Sequence, residues 1–404
     1  MISSYLPYPL TNGGHIRLFN LLKKLASKHE VTLICEKRPH QTQNDIDAIN
    51  KICKKVITVP RKKQWSMSTV LKAGFSFNSF LVAGHTNNKL KESIAQSLIN
   101  EQFDLIHVET FYVTQNIPDT NVPIVITEHN IEYLVYARYS QKAPFLIRPL
   151  LYLDVYKLKL NEEKAWDRAQ SLIAVSIEEK QLMKKSNVNV VPNGVDLDSF
   201  NFKNPVQKQY HSVARHLSLP QKEILFIGDF KWIQNRDTIA WILKDIWPYL
   251  LRAVESEVKI YLRIVGKNIP GNLKKLNTFD SVIFDENAPN ETAEIFKKSD
   301  ILLAPIRVGG GTSYKILEAM ASGIPVVTTF RGMRGLEVQQ NKHLYVSDDV
   351  QGIVDKTARL LRDTEEYEKI AHNARKLIEE KYDWNVIVHK LNEVYESVRN
   401  NSKQ

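Results

Sequence analysis

Twice along this chain, short runs dense in Val, Ile and Leu recur at intervals filled by amphipathic helical stretches. The first series comprises Val31–Glu36, Asp104–Glu109, Pro123–Glu128, Ser171–Ser176 and Val188–Pro192. The second comprises Glu223–Asp229, Val258–Val265, Ser281–Asp285, Asp300–Pro305, Pro325–Thr328 and Leu344–Val346. Runs this continuously apolar predict parallel strands covered by helices on both faces, hence an α/β chain with two doubly wound sheets. At 404 residues the chain also exceeds what one core ordinarily serves. Pro192-Asn193-Gly194-Val195-Asp196 has the turn chemistry that separates the two series, Asn-Gly favouring positive φ. We therefore expect Rossmann-like domains at 1–192 and 193–385, with the helix 386–404 packing back on the first. Helices are expected at about His15–Ser27, Asp349–Lys381 and Trp384–Asn400. Ahead of the first turn stands almost no strand, only Met1-Ile2-Ser3-Ser4-Tyr5, so the first strand reads as clipped.

Composition narrows the function classes. Net charge is +10, and residues 1–192 hold 25 Lys and Arg against 17 Asp and Glu, so the basic excess sits in the first half. That excess suits an anionic surface or a phosphorylated substrate, or simple solubility. No known nucleic-acid motif organises it, and no nucleic-acid partner is expected. The two cysteines, Cys35 and Cys53, lack disulfide-framework or zinc spacing. No run is long enough to span a bilayer and no signal-peptide pattern opens the chain, which points to the cytoplasm. Arg61-Lys62-Lys63-Gln64-Trp65 and the stretch Arg138–Lys159 mix cations with aromatic and aliphatic residues, as a membrane-interface segment or a buried helix would.

The sharpest chemical signal is the strand-turn-helix stretch from Ala304 to Met320, with Gly309-Gly310-Gly311-Thr312 at its turn. Glycines admit a ligand close to the backbone, and the amides and dipole at the following helix favour phosphate. The spacing is neither that of a P-loop nor of a dinucleotide fingerprint. Glu318, six residues past Thr312, is placed to accept ribose hydroxyls, or else to pair with Lys315 one turn away. Gly13-Gly14 opens a helix and forms a second backbone-amide candidate, with Arg17 one turn in. His129 follows a strand, at the carboxyl edge where open α/β sheets bind ligands. Glu128 is adjacent, whereas His107 and Glu109 read as packing and surface residues. Asp196-Leu197-Asp198 has the form of a metal-binding D-x-D, but directly after the Asn193-Gly194 turn it reads as loop capping.

Taken in order, Pro7-Tyr8-Pro9, Gly13-Gly14, Arg17, Glu128-His129-Asn130, Ser176, Val191 to Asp196, Gly228, the glycine loop through Gly323-Ile324-Pro325, and Tyr382-Asp383-Trp384 resemble the family 4 (group 1) retaining glycosyltransferases over nearly the whole chain. The resemblance implies a GT-B fold, two Rossmann-like doubly wound domains facing a central cleft, acceptor-binding first and donor-binding second. It implies transfer of a sugar from a nucleoside diphosphate sugar to a hydroxyl of a polysaccharide, lipid-linked or other glycan acceptor, with no metal and no cofactor. It makes His129 a sugar contact and Gly13, Gly14, Gly309, Gly310, Gly311, Thr312 and Glu318 donor-binding residues. Two family features differ here. The first Glu of the E-x7-E motif falls on Gly310, and the diphosphate-binding Arg and Lys after Gly228 fall on Asp229 and Asn235. Arg307 and Lys315 are then the expected catalytic cations, with Lys231 and Arg236 as further candidates and Arg17 facing a phosphate. A peripheral position on the inner face of the plasma membrane is expected from the basic first domain. The alternatives are a GT-B epimerase or phosphorylase, or a degenerate subunit that binds a partner transferase.

Overall fold

The computed structural model describes residues 1–401 apart from 62–72, 75, 204–218, 288–291 and 310. Contacts divide the chain into two units, Met1–Pro192 with Ile387–Gln404, and Asn193–Val386.

In the first unit seven strands form one parallel sheet: β1 (Ile2–Ser3), β2 (Thr32–Lys37), β3 (Lys55–Pro60), β4 (Ile106–Glu109), β5 (Ile124–Glu128), β6 (Ser171–Ala174) and β7 (Val188–Val190). Their order is β3-β2-β1-β4-β5-β6-β7. Chain direction reverses its sideways progress at β1, which pairs through Ile2 and Ser3 with both β2 and β4. Loops from the carboxyl ends of β1 and β4 therefore diverge and leave a crevice. Every residue of β4, β5 and β6 is buried, as the continuous apolar runs require when helices cover both faces. Leu33, Val108, Val125 and Leu172 have no exposed surface, each burial being worth about 1.5–3 kcal/mol.

The second unit repeats the plan with β8 (Gln221–Ile227), β9 (Lys259–Val265), β10 (Val282–Asp285), β11 (Ile301–Ala304), β12 (Val326–Thr328) and β13 (Tyr345–Val346), in the order β10-β9-β8-β11-β12-β13. Its switch point lies between β8 and β11. One core layer gathers around Phe226, Trp247 and Leu303, the other around Leu302, Leu317 and Met320. Within this unit Val195 bridges Asp383, and a Cβ at Gly194 would meet the Trp384 ring at 2.8 Å. The turn expected at Asn193-Gly194 is thus packed against the Tyr382-Asp383-Trp384 stretch.

Three expectations need correction. β3 was not expected, although Val56-Ile57-Thr58-Val59 is a short apolar run of the same kind; it is an edge strand with only Val59 buried. The helix starting near His15 begins at Gly13, because Asn12 caps it by accepting from the His15 amide at 3.1 Å. Asp349–Lys381 is two helices, Val350–Arg362 and Thr364–Lys381, divided at Asp363, whose carboxylate caps the second through the Glu366 amide.

Candidate active site

The second unit places its glycine loop directly after β11, beside its switch point. Gly309 and Gly311 have φ of +116° and +77°, conformations that side-chain-bearing residues rarely adopt. Gly310 lies outside the described residues. The helix Tyr314–Ala321 follows, and its cap residue, Ser313, makes no side-chain capping bond. Its first-turn amides are therefore uncapped by Ser313 and suited to an anion. Thr312 Oγ1 is buried and has no hydrogen-bond partner among the described residues. Arg331, in the turn after β12, donates to the Gly309 carbonyl at 3.0 Å, bringing a cation to the loop that the sequence reading missed. Its signal was positional: it follows the carboxyl end of the next strand over.

The cations expected here fall into different settings. Lys315 Nζ donates to Asn235 Oδ1 at 2.9 Å and lies 4.1 Å from the centroid of the Phe226 ring. Asn235 is buried against Gly228, where a Cβ would come within 2.6 Å of its amide, and it also donates to the Asp229 carbonyl. The ammonium from the glycine-loop helix therefore reaches Asn235, in the first turn of the helix Ile233–Trp241 that follows β8. Burial pushes Lys315 down to about 7, with the Glu318 carboxylate opposing; burial likewise pushes Glu318 up to about 7, with Lys315 opposing. Arg307 instead forms a two-pronged pair with Asp237, Nε to Oδ2 at 3.2 Å and NH2 to Oδ1 at 3.0 Å, with its guanidinium 4.4 Å from the Trp241 ring centroid. Lys231 pairs with Asp229 at 3.1 Å, and Arg236 donates to the Phe230 carbonyl at 3.3 Å. Of the four, Lys315 is the one the fold half-buries among the loop, Asn235 and Glu318.

In the first unit the carboxyl ends of β4 and β5 bring Glu109 and His129 together, Nε2 to Oε2 at 2.5 Å. Glu109 is fully buried and His129 is about one-fifth exposed. Burial alone would raise Glu109, but the hydrogen bond and charge of His129, with His107 and Arg17 nearby, hold it at about 2. His107 is not merely packing: its Nδ1 bonds the Tyr395 hydroxyl, its Nε2 bonds Thr127 Oγ1 at 2.7 Å, and Glu109 Oε1 lies 3.6 Å away. Burial lowers His107 to about 4, so it is neutral at physiological pH. Glu109 is the residue the sequence reading undervalued; it sets the orientation of His129.

Two expected contacts are corrected. Arg17 is fully buried, and its guanidinium donates to the carbonyls of Pro192 at 2.8 Å and Val191 at 3.0 Å. It clamps the Gly13–Leu25 helix to residues 191–192 and does not face a phosphate. Glu128 points to the opposite side of its strand from His129, is buried, and accepts from the Trp166 indole at 2.8 Å. Burial, then the nearby Glu162 charge, raises it well above the carboxylate range, so it belongs to the interior. At Gly14 a Cβ would meet the Tyr5 hydroxyl at 3.0 Å, so the Gly13-Gly14 turn is tightly packed on its outer side. Asp196 accepts from the Asp198 amide and the Ser199 hydroxyl, the capping arrangement its place in the turn suggests. Among the described residues no three His, Cys, Asp or Glu side chains are grouped to hold a metal ion.

Residues 11–199 match the model of Glycosyltransferase Family 4, and residues 221–363 that of Glycosyl transferases group 1. The chain belongs to this glycosyltransferase family. A Klebsiella pneumoniae protein described as an uncharacterized 44.6 kDa protein in the cps region is 22% identical, covering 95% of this chain and 96% of its own length. Sucrose-phosphate synthase from Thermosynechococcus elongatus superposes with a TM-score of 0.69 at 17% identity, over 99% of both chains. The Anabaena protein HepE, solved in complex with UDP-glucose, gives 0.63 at 14% identity over 98% of each. At such identities the structural likeness speaks for the fold, and this glycosyltransferase has the GT-B fold of those neighbours.

Proposed function

We propose that this glycosyltransferase takes a sugar from a nucleoside diphosphate sugar and passes it, with retention of configuration, to a hydroxyl of a polysaccharide, lipid-linked or other glycan acceptor. The observation that carries the reading is the glycine loop of the second unit, held at positive φ and running into an uncapped helix start beside Lys315. In this reading the loop amides and Thr312 cradle the diphosphate, and Glu318 accepts the ribose hydroxyls. The bond from the anomeric carbon to the distal phosphate oxygen breaks as the acceptor oxygen bonds the same face of the sugar. The acceptor's proton leaves toward the departing phosphate. Lys315 and the amides are fixed opposite the charge that develops on the nucleotide, which stabilises the transition state without a metal or cofactor. His129, aimed by Glu109, presents an imidazole to a sugar hydroxyl in the first unit. The pairing of Arg307 with Asp237 makes it a support for the loop rather than a direct phosphate ligand. HepE, of the same fold and solved with UDP-glucose, supports a sugar nucleotide as the ligand class. The two cysteines, both unpaired and buried, suit a reducing cytoplasm as the working compartment.

A thermal-shift panel of UDP, GDP and ADP sugars tests the donor, because a ligand of the native state raises its melting temperature. Labelled donor then separates the outcomes. Sugar transferred to an acceptor, undiminished after chelator treatment, supports the reading; isomerised or phosphorolysed sugar replaces it with an epimerase or phosphorylase. No stabilisation by any nucleotide, together with a co-purifying transferase, replaces it with a binding subunit.

A further inference from the structure

The 20-residue helix Arg148–Asp167 in the first unit is amphipathic in an unusual sense. It buries Leu158, Glu162, Ala165 and Trp166, yet the side away from the core is apolar as well. Phe145 and Leu146, in the turn before it, are 74% and 75% exposed; along the helix Leu150 is 69%, Leu153 53%, Tyr156 59% and Leu160 46% exposed. Leu150, Leu153 and Leu160 follow helical spacing, so with Phe145 and Leu146 in the preceding turn these side chains line one side. Together they expose on the order of several hundred Å² of apolar surface, at the upper limit of what a monomer ordinarily leaves bare.

Charge decides what covers it. Between residues 141 and 160 the exposed charged residues are Lys142, Arg148 and Lys159, all cationic. The acid in that span, Asp154, is turned inward and accepts from the Phe80 amide at 2.8 Å. Glu163 lies just beyond, 3.8 Å from Lys159. A two-fold contact between copies would set this cationic stripe against itself with no exposed carboxylate in the span to pair with. An anionic bilayer supplies both what the stripe lacks and an apolar layer for Leu, Phe and Tyr. Among the described residues no helix is long and apolar enough to cross a membrane, so this face would lie on the surface.

We propose that residues 144–160 dock the first unit onto an anionic lipid bilayer, the helix lying in the interface with its Leu stripe in the acyl boundary and Lys142 and Arg148 among the headgroups. The docking is independent of donor chemistry, so it stands or falls apart from the sugar-transfer reading. The test is vesicle flotation of the full chain with phosphatidylcholine alone and with phosphatidylcholine plus phosphatidylglycerol. We expect flotation only with the anionic vesicles and weakening as salt is raised. Each of Lys142→Gln and Arg148→Gln should cost about five-fold in binding, and Leu150→Glu with Leu153→Glu should abolish it. Circular dichroism and nucleotide-induced thermal shift, unchanged in these surface variants, distinguish lost docking from lost folding. No flotation with either vesicle, or flotation untouched by the Leu substitutions, overturns the proposal. So does a concentration-dependent dimer in sedimentation velocity that Leu150→Glu dissolves, which would assign the face to a second copy.

Discussion

Lys315 and Glu318 both sit near pH 7 before any ligand arrives, and in the donor-binding roles proposed above this would make binding proton-linked in a way that changes sign. A diphosphate beside Lys315 returns it toward its ordinary value of 10.5, so binding takes up whatever fraction of a proton the free lysine lacks. A carboxylate that accepts ribose hydroxyls must be ionised, so Glu318 releases whatever proton it still carries. At about pH 8 the free lysine is about nine-tenths neutral and the free carboxyl about nine-tenths ionised, so binding takes up close to one proton. At about pH 6 the balance reverses and close to one proton is released; near pH 7 the two cancel. Affinity should therefore peak near pH 7 and fall on each side toward a limit of about tenfold per pH unit, as one linked proton requires. Titration calorimetry in buffers of differing ionisation enthalpy reads the proton count directly. A sugar nucleotide is the right probe, because it lacks the terminal phosphate monoester that titrates near 6. Lys315→Met should flatten the alkaline limb and Glu318→Gln the acidic one. Affinity that does not vary between about pH 6 and 8, with no buffer-dependent heat, would refute both roles.

Glu109→Gln should lessen acid sensitivity. A carboxyl held at about 2 instead of 4.5 contributes stability that is present above about 4.5 and lost as pH falls toward 2, about 3 kcal/mol in all. Urea midpoints at neutral and acid pH should therefore converge in the variant; equal acid sensitivity in both proteins would count against the pair. Arg17→Ala strands two buried carbonyls and should cost about 3–5 kcal/mol in denaturant unfolding while leaving nucleotide affinity intact, and Arg17→Lys should recover little of it, lacking the fork. Gly311→Ala forces a side chain to φ +77° and should cost about 1–2 kcal/mol, with weaker nucleotide binding in the same thermal-shift assay.

How far the sequence reveals this molecule follows from where each signal originates. Strands buried on both faces announce themselves, and β4, β5 and β11 lie within the runs Asp104–Glu109, Pro123–Glu128 and Asp300–Pro305. The edge strand β3 is only half-covered, yet Val56-Ile57-Thr58-Val59 is a run of the same kind, so its signal was present and was passed over. The break at Asp363 was legible in principle, since Asp363-Thr364-Glu365-Glu366 is a capping sequence inside a charged stretch. Within the site, the glycines could be read because positive φ is a local demand. The fates of Arg307 and Arg17 could not, because Asp237 and the carbonyls at 191 and 192 are brought to them by the fold across 70 and about 175 residues. Glu128 and Glu109 illustrate the same limit. Both end a strand, and only the packing of the Trp166 indole against one and of His129 against the other separates an interior acid from one that orients His129.

The loop after β8 and the helix Ile233–Trp241 that follows it show how the proposed site would keep its electrostatics while moving its charges. Asp229 and Asn235 stand where the family resemblance places cations, and a diphosphate bound there would otherwise face a carboxylate and a neutral amide. Asp229 is satisfied locally: against the burial that would raise it, the Lys231 amide, the Asn268 side chain and the Lys231 ammonium hold it below the usual range. Asn235 does not replace the missing cation but receives one, since its Oδ1 holds the Lys315 ammonium delivered from the helix after the glycine loop. A lysine rooted in that helix moves with the amides proposed to hold the phosphate, so one rigid element would carry both the dipole and the full charge. A half-buried cation met by an amide oxygen, the Phe226 ring and a more distant carboxyl is held near neutrality and is readily charged by an incoming anion. The same burial that weakens Lys315 in the free protein thus makes its response to a phosphate large, which is why the proton count, more than the affinity itself, is the sharpest probe of this site.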